Sequence, residues 1–136
     1  MLGVACLSLR AADEPTTTKA WELMAGFSAS EAMQVLEPQS TSPERQLAMA
    51  TAFLGIYPQT PGNVEQAEVI LKGIVDAKES SEIQAAALYL LGRIAHIYYE
   101  GRESEAAAYY RQLREMYPDD QLADSAAVKL ALISLD

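Results

Sequence analysis

The chain has one cysteine (Cys6), one histidine (His96) and one tryptophan (Trp21) in 136 residues. A lone cysteine builds neither a disulfide framework nor a cysteine-ligated metal site, and a lone histidine leaves a two-histidine metal site incomplete. No Gly-x-Ser-x-Gly elbow, phosphate-binding loop or dinucleotide fingerprint occurs. Serines stand mainly where helices would start, and capping accounts for them there. The Asp119-Asp120 pair reads as a helix cap rather than a calcium ligand set. No constellation of nucleophile, acid and base emerges, so the expectation is a non-enzyme with no metal and no cofactor.

Basic residues are also scarce. Ten Lys and Arg face nineteen Asp and Glu, giving a net charge of -9 and a pI near 4.5. Such a chain repels phosphate backbones, which argues against a nucleic-acid partner. The bases are scattered among acids, so no basic amphipathic helix suits an anionic membrane, and the negative charge serves solubility. Apolar runs are too short to span a bilayer, and no membrane insertion is expected. The run Leu2-Gly3-Val4-Ala5-Cys6-Leu7-Ser8-Leu9 precedes Arg10-Ala11-Ala12-Asp13-Glu14-Pro15. An apolar stretch, small residues and then an acidic, proline-containing start match the end of a secretory signal, without its usual basic beginning. Residues 1–14 therefore read as a signal remnant, giving a periplasmic or secreted protein. The alternative is a frayed N-terminus on a cytoplasmic one.

What the sequence does hold is alanine and helical spacing. Apolar residues make up 50% of the chain and charged residues 21%, and no stretch alternates with period two for long enough to be a strand. Turn signals cut residues 16–136 into seven helix-sized pieces. The first runs from Thr17 to Gly26 around Trp21 and Met24. The second follows a capping box at Ser28 and Glu31 and ends before Pro38. The third opens on Ser42-Pro43, serine as cap and proline at the first helical position, and Pro58 stops it. Pro61-Gly62-Asn63 reads as a turn, with Asn63 capping a fourth helix whose stripe is Val64, Ala67, Ile70, Leu71 and Ile74. A capping box at Ser81 and Gln84 opens the longest helix, which reaches Tyr99 and breaks at Gly101. The sixth spans Glu103 to Tyr117. Asp119 or Asp120 caps the seventh, which continues nearly to Asp136.

These pieces repeat. Ser30-Glu31-Ala32, Glu65-Gln66-Ala67 and Ser104-Glu105-Ala106 occupy matching places, their alanines 35 and 39 residues apart. Each alanine has a large residue four positions on: Leu36, Leu71 and Tyr110. Phe53-Leu54-Gly55 matches Leu90-Leu91-Gly92, and Ala86-Ala87-Leu88 matches Ala126-Ala127-Val128. Two antiparallel helices approach closely only where one side is small, so alanine and glycine mark the crossings. One hairpin cannot bury its own apolar face, and hairpins therefore stack.

On these residues the chain resembles the tetratricopeptide repeat family. Gly55, Gly62, Ala67 and Leu71 stand at the family's spacing, as do Gly101, Ala106, Tyr110, Leu113 and Pro118. The stretch Tyr109-Tyr110-Arg111-Gln112-Leu113 through Tyr117-Pro118-Asp119-Asp120 to Ala123-Asp124 is similar to repeats of bacterial envelope proteins of the barrel-assembly and Tol-Pal types. The resemblance covers residues 42–135, and more faintly the first hairpin. It implies an all-α fold, an α-solenoid of about three and a half helical hairpins in a right-handed superhelical stack. Two departures stand out: Pro58 falls where the family has an aromatic, and the Gly92-to-Gly101 gap is about two residues longer than the family's.

Two surfaces are candidates for a protein or peptide partner. Tyr89, Arg93, His96 and Glu100 share one face of the longest helix, opposite Leu91, Ile94, Ala95 and Tyr98. The resemblance implies that first helices line a concave groove and that Tyr89, Arg93 and His96 point towards a ligand, the other reading being an ordinary solvated face. On the last helix, Leu122, Ala126, Leu130 and Ile133 form an inner face. Val128, Leu132 and Leu135 form a second apolar face where a terminal cap would be polar. The expected function is a protein-interaction scaffold binding through the concave face. The alternative is a structural or regulatory subunit that becomes a homo-oligomer through the last helix.

Overall fold

Alanine-rich segments punctuated by proline, glycine and hydroxyl caps fold as helices throughout the computed structural model, which describes residues 15–26, 29–36 and 42–134. Seven α-helices and no strand occur among the described residues: α1 Pro15–Ala25, α2 Ala29–Leu36, α3 Pro43–Gly55, α4 Pro61–Asp76, α5 Ser81–Arg93, α6 Glu103–Met116 and α7 Gln121–Ser134. A π-helical turn, Ile94–Tyr98, continues α5. Residues 1–14 with Cys6, the expected Ser28 cap, Pro38 and Leu135 lie outside the described residues. The chain divides into two compact units, Met1–Ile70 and Leu71–Asp136, and α4 contributes to both.

In the first unit α1 packs on α2 and on α3, and α2 packs on α3. Trp21 and Leu47 are its largest fully buried side chains, and Ala20, Ala32, Ala48, Ala50 and Ala52 are fully buried as well. Small residues set the spacing: a Cβ added at Gly55 would stand 3.1 Å from the Ala29 Cβ. Helix ends are closed by side chains. The Ser42 Oγ accepts the Arg45 amide at 3.2 Å, with Pro43 next to it, as expected. At the other end of α3 the Gln59 side chain donates to the carbonyls of Phe53 and Leu54 at 3.2 and 3.0 Å, satisfying acceptors a helix end leaves unpaired.

One expected cap is corrected here. The fourth helix is capped by Thr60, whose Oγ1 accepts the Asn63 amide at 3.2 Å, and it starts at Pro61, earlier than the Pro61-Gly62-Asn63 turn suggested. Proline suits the first helical position because its missing N–H would find no partner there.

The second unit repeats the arrangement. α5 packs on α6 and on α7, and α6 packs on α7. Its core joins Ala85, Leu88, Ala95, Ala106, Tyr110, Leu113 and Ala126, with Leu122, Leu130 and Ile133 of α7 resting on it. The α5–α6 crossing is tight: a Cβ at Gly92 would fall 2.5 Å from Tyr110 Cε1. The capping box expected at Ser81 and Gln84 does not form. Gln84 is buried, and its amide donates to the Ile74 carbonyl at 2.7 Å, tying the start of α5 to the end of α4; burial gives that amide a better acceptor than the helix start. Of the two aspartates, Asp120 is the cap: its Oδ1 accepts the Leu122 amide at 2.9 Å. After helix ends, two of the described residues take a positive φ, Lys78 at φ 52 and Gly101 at φ 79.

Candidate protein-interaction surfaces

The register of α5 decides what its face can offer. Across Ile94–Tyr98 the backbone closes a π turn, in which hydrogen bonds reach one residue further than in an α-helix. This turn takes up part of the extra length between Gly92 and Gly101, and it rotates everything after it. Tyr98, expected on the inner side, is 38% exposed, and Ile97 is 52% exposed.

Of the four residues expected on one face, Tyr89 and Arg93 precede the π turn, His96 lies within it and Glu100 follows it. Tyr89 is half-buried, its ring 5.9 Å from that of Tyr110 at an interplanar angle of 54°, and it packs against the core. Arg93 and His96 are half-buried, and Glu100 is exposed. Sequence spacing missed the exposed pair Ile97 and Tyr98, although the long interval before Gly101 was a signal that the register changes there. What remains on the surface is a mixed patch of Ile97, Tyr98 and Glu100 with the edges of Arg93 and His96.

Beside this patch the turn into α6 is held by charge. The Arg102 guanidinium stacks on Tyr99, 4.2 Å from the ring centroid. It donates to both Glu105 carboxylate oxygens, at 2.8 and 2.6 Å. The hydrogen bond from Arg102 holds the Glu105 carboxyl below the ordinary glutamate range, against a smaller opposing effect of burial. Tyr110 shifts the other way: burial raises its phenol well above the usual value, Tyr89 adds to this, and Arg93 opposes it. The Tyr110 hydroxyl has no hydrogen-bond partner.

The second surface is α7. Val128 is 61% and Leu132 46% exposed, and Asp124 and Ala131 on the same side are also exposed. Leu135, assigned to this face from the sequence, lies outside the described residues. The opposite face carries Ala123 and Ala126, both buried. Between α6 and α7 runs an open cleft of about 380 Å³ lined by Arg111, Arg114, Glu115, Pro118, Ala123, Asp124 and Ala127. No group of three or more metal-ligating side chains assembles among the described residues, and no helix there is long and apolar enough to cross a membrane.

No family model matches the chain, and no curated protein or solved structure does either.

Proposed function

We propose that this protein is an interaction scaffold of stacked tetratricopeptide-like hairpins, which captures a protein or peptide partner in the bacterial cell envelope. The observation that carries the reading is the patch at the end of α5. Exposed Ile97 and Tyr98 stand beside Arg93, His96 and Glu100, a mixture of aromatic, aliphatic and charged groups suited to protein contacts. The hairpin reading draws support from the internal likeness of the two units, in each of which a first helix packs on the next two. Ala32, Ala67 and Ala106, the alanines of the repeat, are all fully buried. A right-handed stack extends that pattern, and the leader together with the family resemblance supports the envelope.

The test is capture from an envelope extract by the wild-type protein and by Arg93→Glu and Tyr98→Ser variants, with circular dichroism to confirm that both fold. The reading expects a partner that the wild type retains and both variants lose. Identical sets of captured proteins for all three would refute it.

A further inference from the structure

We infer that the end of α5 is a two-register device, in which Tyr98 and Tyr99 exchange one inward place and the Arg102–Glu105 pair latches the register that turns Tyr98 outward. Leu91, Ile94 and Ala95 are buried on the inner side of this helix. At ~100° per residue, a continuous α-helix brings position 98 next to that side. The π turn over Ile94–Tyr98 lengthens one turn by a residue, and the inward place passes to position 99. Exposure follows the same order: Tyr98 is 38% exposed, and Tyr99 is half-buried. The helix ends at once, with Tyr99 extended at φ -128 and ψ 134 and Gly101 at φ 79. An extended residue followed closely by a glycine supplies the slack for a one-residue change of register.

The neighbouring turn supplies the latch. A π turn is rare inside helices, so contacts outside it have to hold it. The Arg102 guanidinium lies 4.2 Å from the Tyr99 ring centroid, a cation–π contact that lasts only while Tyr99 keeps this place. Glu105 fixes that guanidinium from α6, accepting hydrogen bonds at 2.8 and 2.6 Å. The next two residues, Ala106 and Ala107, are buried, and α6 packs on the π turn itself. The latch therefore joins the turn to a helix whose own position the core sets. Without it the balance moves towards the α register, with Tyr98 inward and Tyr99 released. The inference rests on the docking reading only for its consequence, that the π register is the one that binds. Exposure is measured on the protein alone, so the two fail separately.

The experiment uses the full chain carrying fluorinated tyrosine and reads fluorine NMR line broadening by a soluble nitroxide. Tyr98→Phe and Tyr99→Phe assign the two signals. In the wild type the nitroxide should broaden Tyr98 more than Tyr99. Arg102→Ala should lower the ratio of Tyr98 to Tyr99 broadening by about twofold or more, the scale of one exposed cation–π contact. Glu105→Gln should lower it in the same direction, and Arg102→Lys, which keeps a cation over the ring, should stay nearer the wild type. Helix content by circular dichroism should not change; where Arg102→Ala reduces it, Glu105→Gln decides. Deleting Ile97 removes the extra residue and leaves Tyr99 inward in a regular α-helix, so adding Arg102→Ala to the deletion should no longer move the ratio. A ratio unchanged in both latch variants would overturn the inference. So would broadening that rises at both tyrosines together, which is fraying of the turn, or an Arg102→Ala effect equally large with and without the deletion.

Discussion

At residue scale, the contact between Gly92 and Tyr110 shows how little room the α5–α6 crossing has. A methyl at position 92 would approach three atoms of the Tyr110 ring within 2.5 to 2.9 Å. The ring is fully buried and Tyr89 leans on it, so it cannot swing aside cheaply. Gly92→Ala normally favours a helix by its intrinsic propensity, yet here overpacking should dominate and lower stability by about 1–3 kcal/mol. Urea unfolding of the variant measures this, and an unchanged midpoint would mean the helices separate more easily than their packing suggests. Tyr110→Phe should behave differently. Its hydroxyl is buried without a partner, so removing it relieves an unmet desolvation cost, and stability should hold or rise by up to about 1 kcal/mol. The raised phenol pKa adds a pH signature. The folded state holds the neutral phenol, so its contribution is full below the unfolded value near 10 and is lost as pH rises through the folded value. The wild type should therefore weaken at alkaline pH in a way that Tyr110→Phe reduces.

Glu105 gives the acid counterpart. Its folded pKa lies below the unfolded one, so its contribution is present above roughly pH 4 and fades as pH falls through the folded value. The pair is about one-third exposed, and solvent screening keeps Glu105→Gln to a loss under about 1 kcal/mol at neutral pH. The difference between variant and wild type should shrink towards pH 3 in acid titrations of stability.

At element scale, helix ends carry the remaining leverage. Lys78 follows α4 with a φ of 52, a conformation that opposes a side chain and suits glycine. Lys78→Gly should stabilise by roughly 0.5–1 kcal/mol, partly offset by the greater freedom of glycine in the unfolded chain. A thermal melt that shifts downward would show that the lysine side chain holds something at that corner. The helix order was legible in the sequence because proline, glycine and hydroxyl residues act locally. Ser42 and Asp120 cap where their neighbours suggested. Gln84 did not, because its best acceptor is the Ile74 carbonyl, ten residues away and close only after folding. Tyr98 was placed on the inner side of α5 for a related reason, whereas it is 38% exposed. Spacing arguments assume 3.6 residues per turn throughout, and a single π turn at Ile94–Tyr98 is enough to turn Tyr98 outward. On α7 no irregular turn intervenes: Leu122, Leu130 and Ile133 rest on the core, and Val128 and Leu132 are exposed.

At the scale of the whole molecule, charge matters more than any one contact. A net charge of -9 on 136 residues is concentrated by folding, and like charges repel more in the compact state than in the expanded chain. The Lys19–Glu22 and Arg102–Glu105 ion pairs are partly exposed, where their attraction is small. Screening should therefore weaken the repulsion more than it weakens the pairs. The melting temperature should rise as salt increases from about 0.01 to 0.15 M, over which the Debye length falls from roughly 30 to 8 Å. Sodium chloride is the appropriate salt, since sulfate would also strengthen apolar burial. A melting temperature that falls over this range would mean that favourable surface pairs outweigh the repulsion. The acidic surface would then be organised into attractive networks rather than carrying an unbalanced excess.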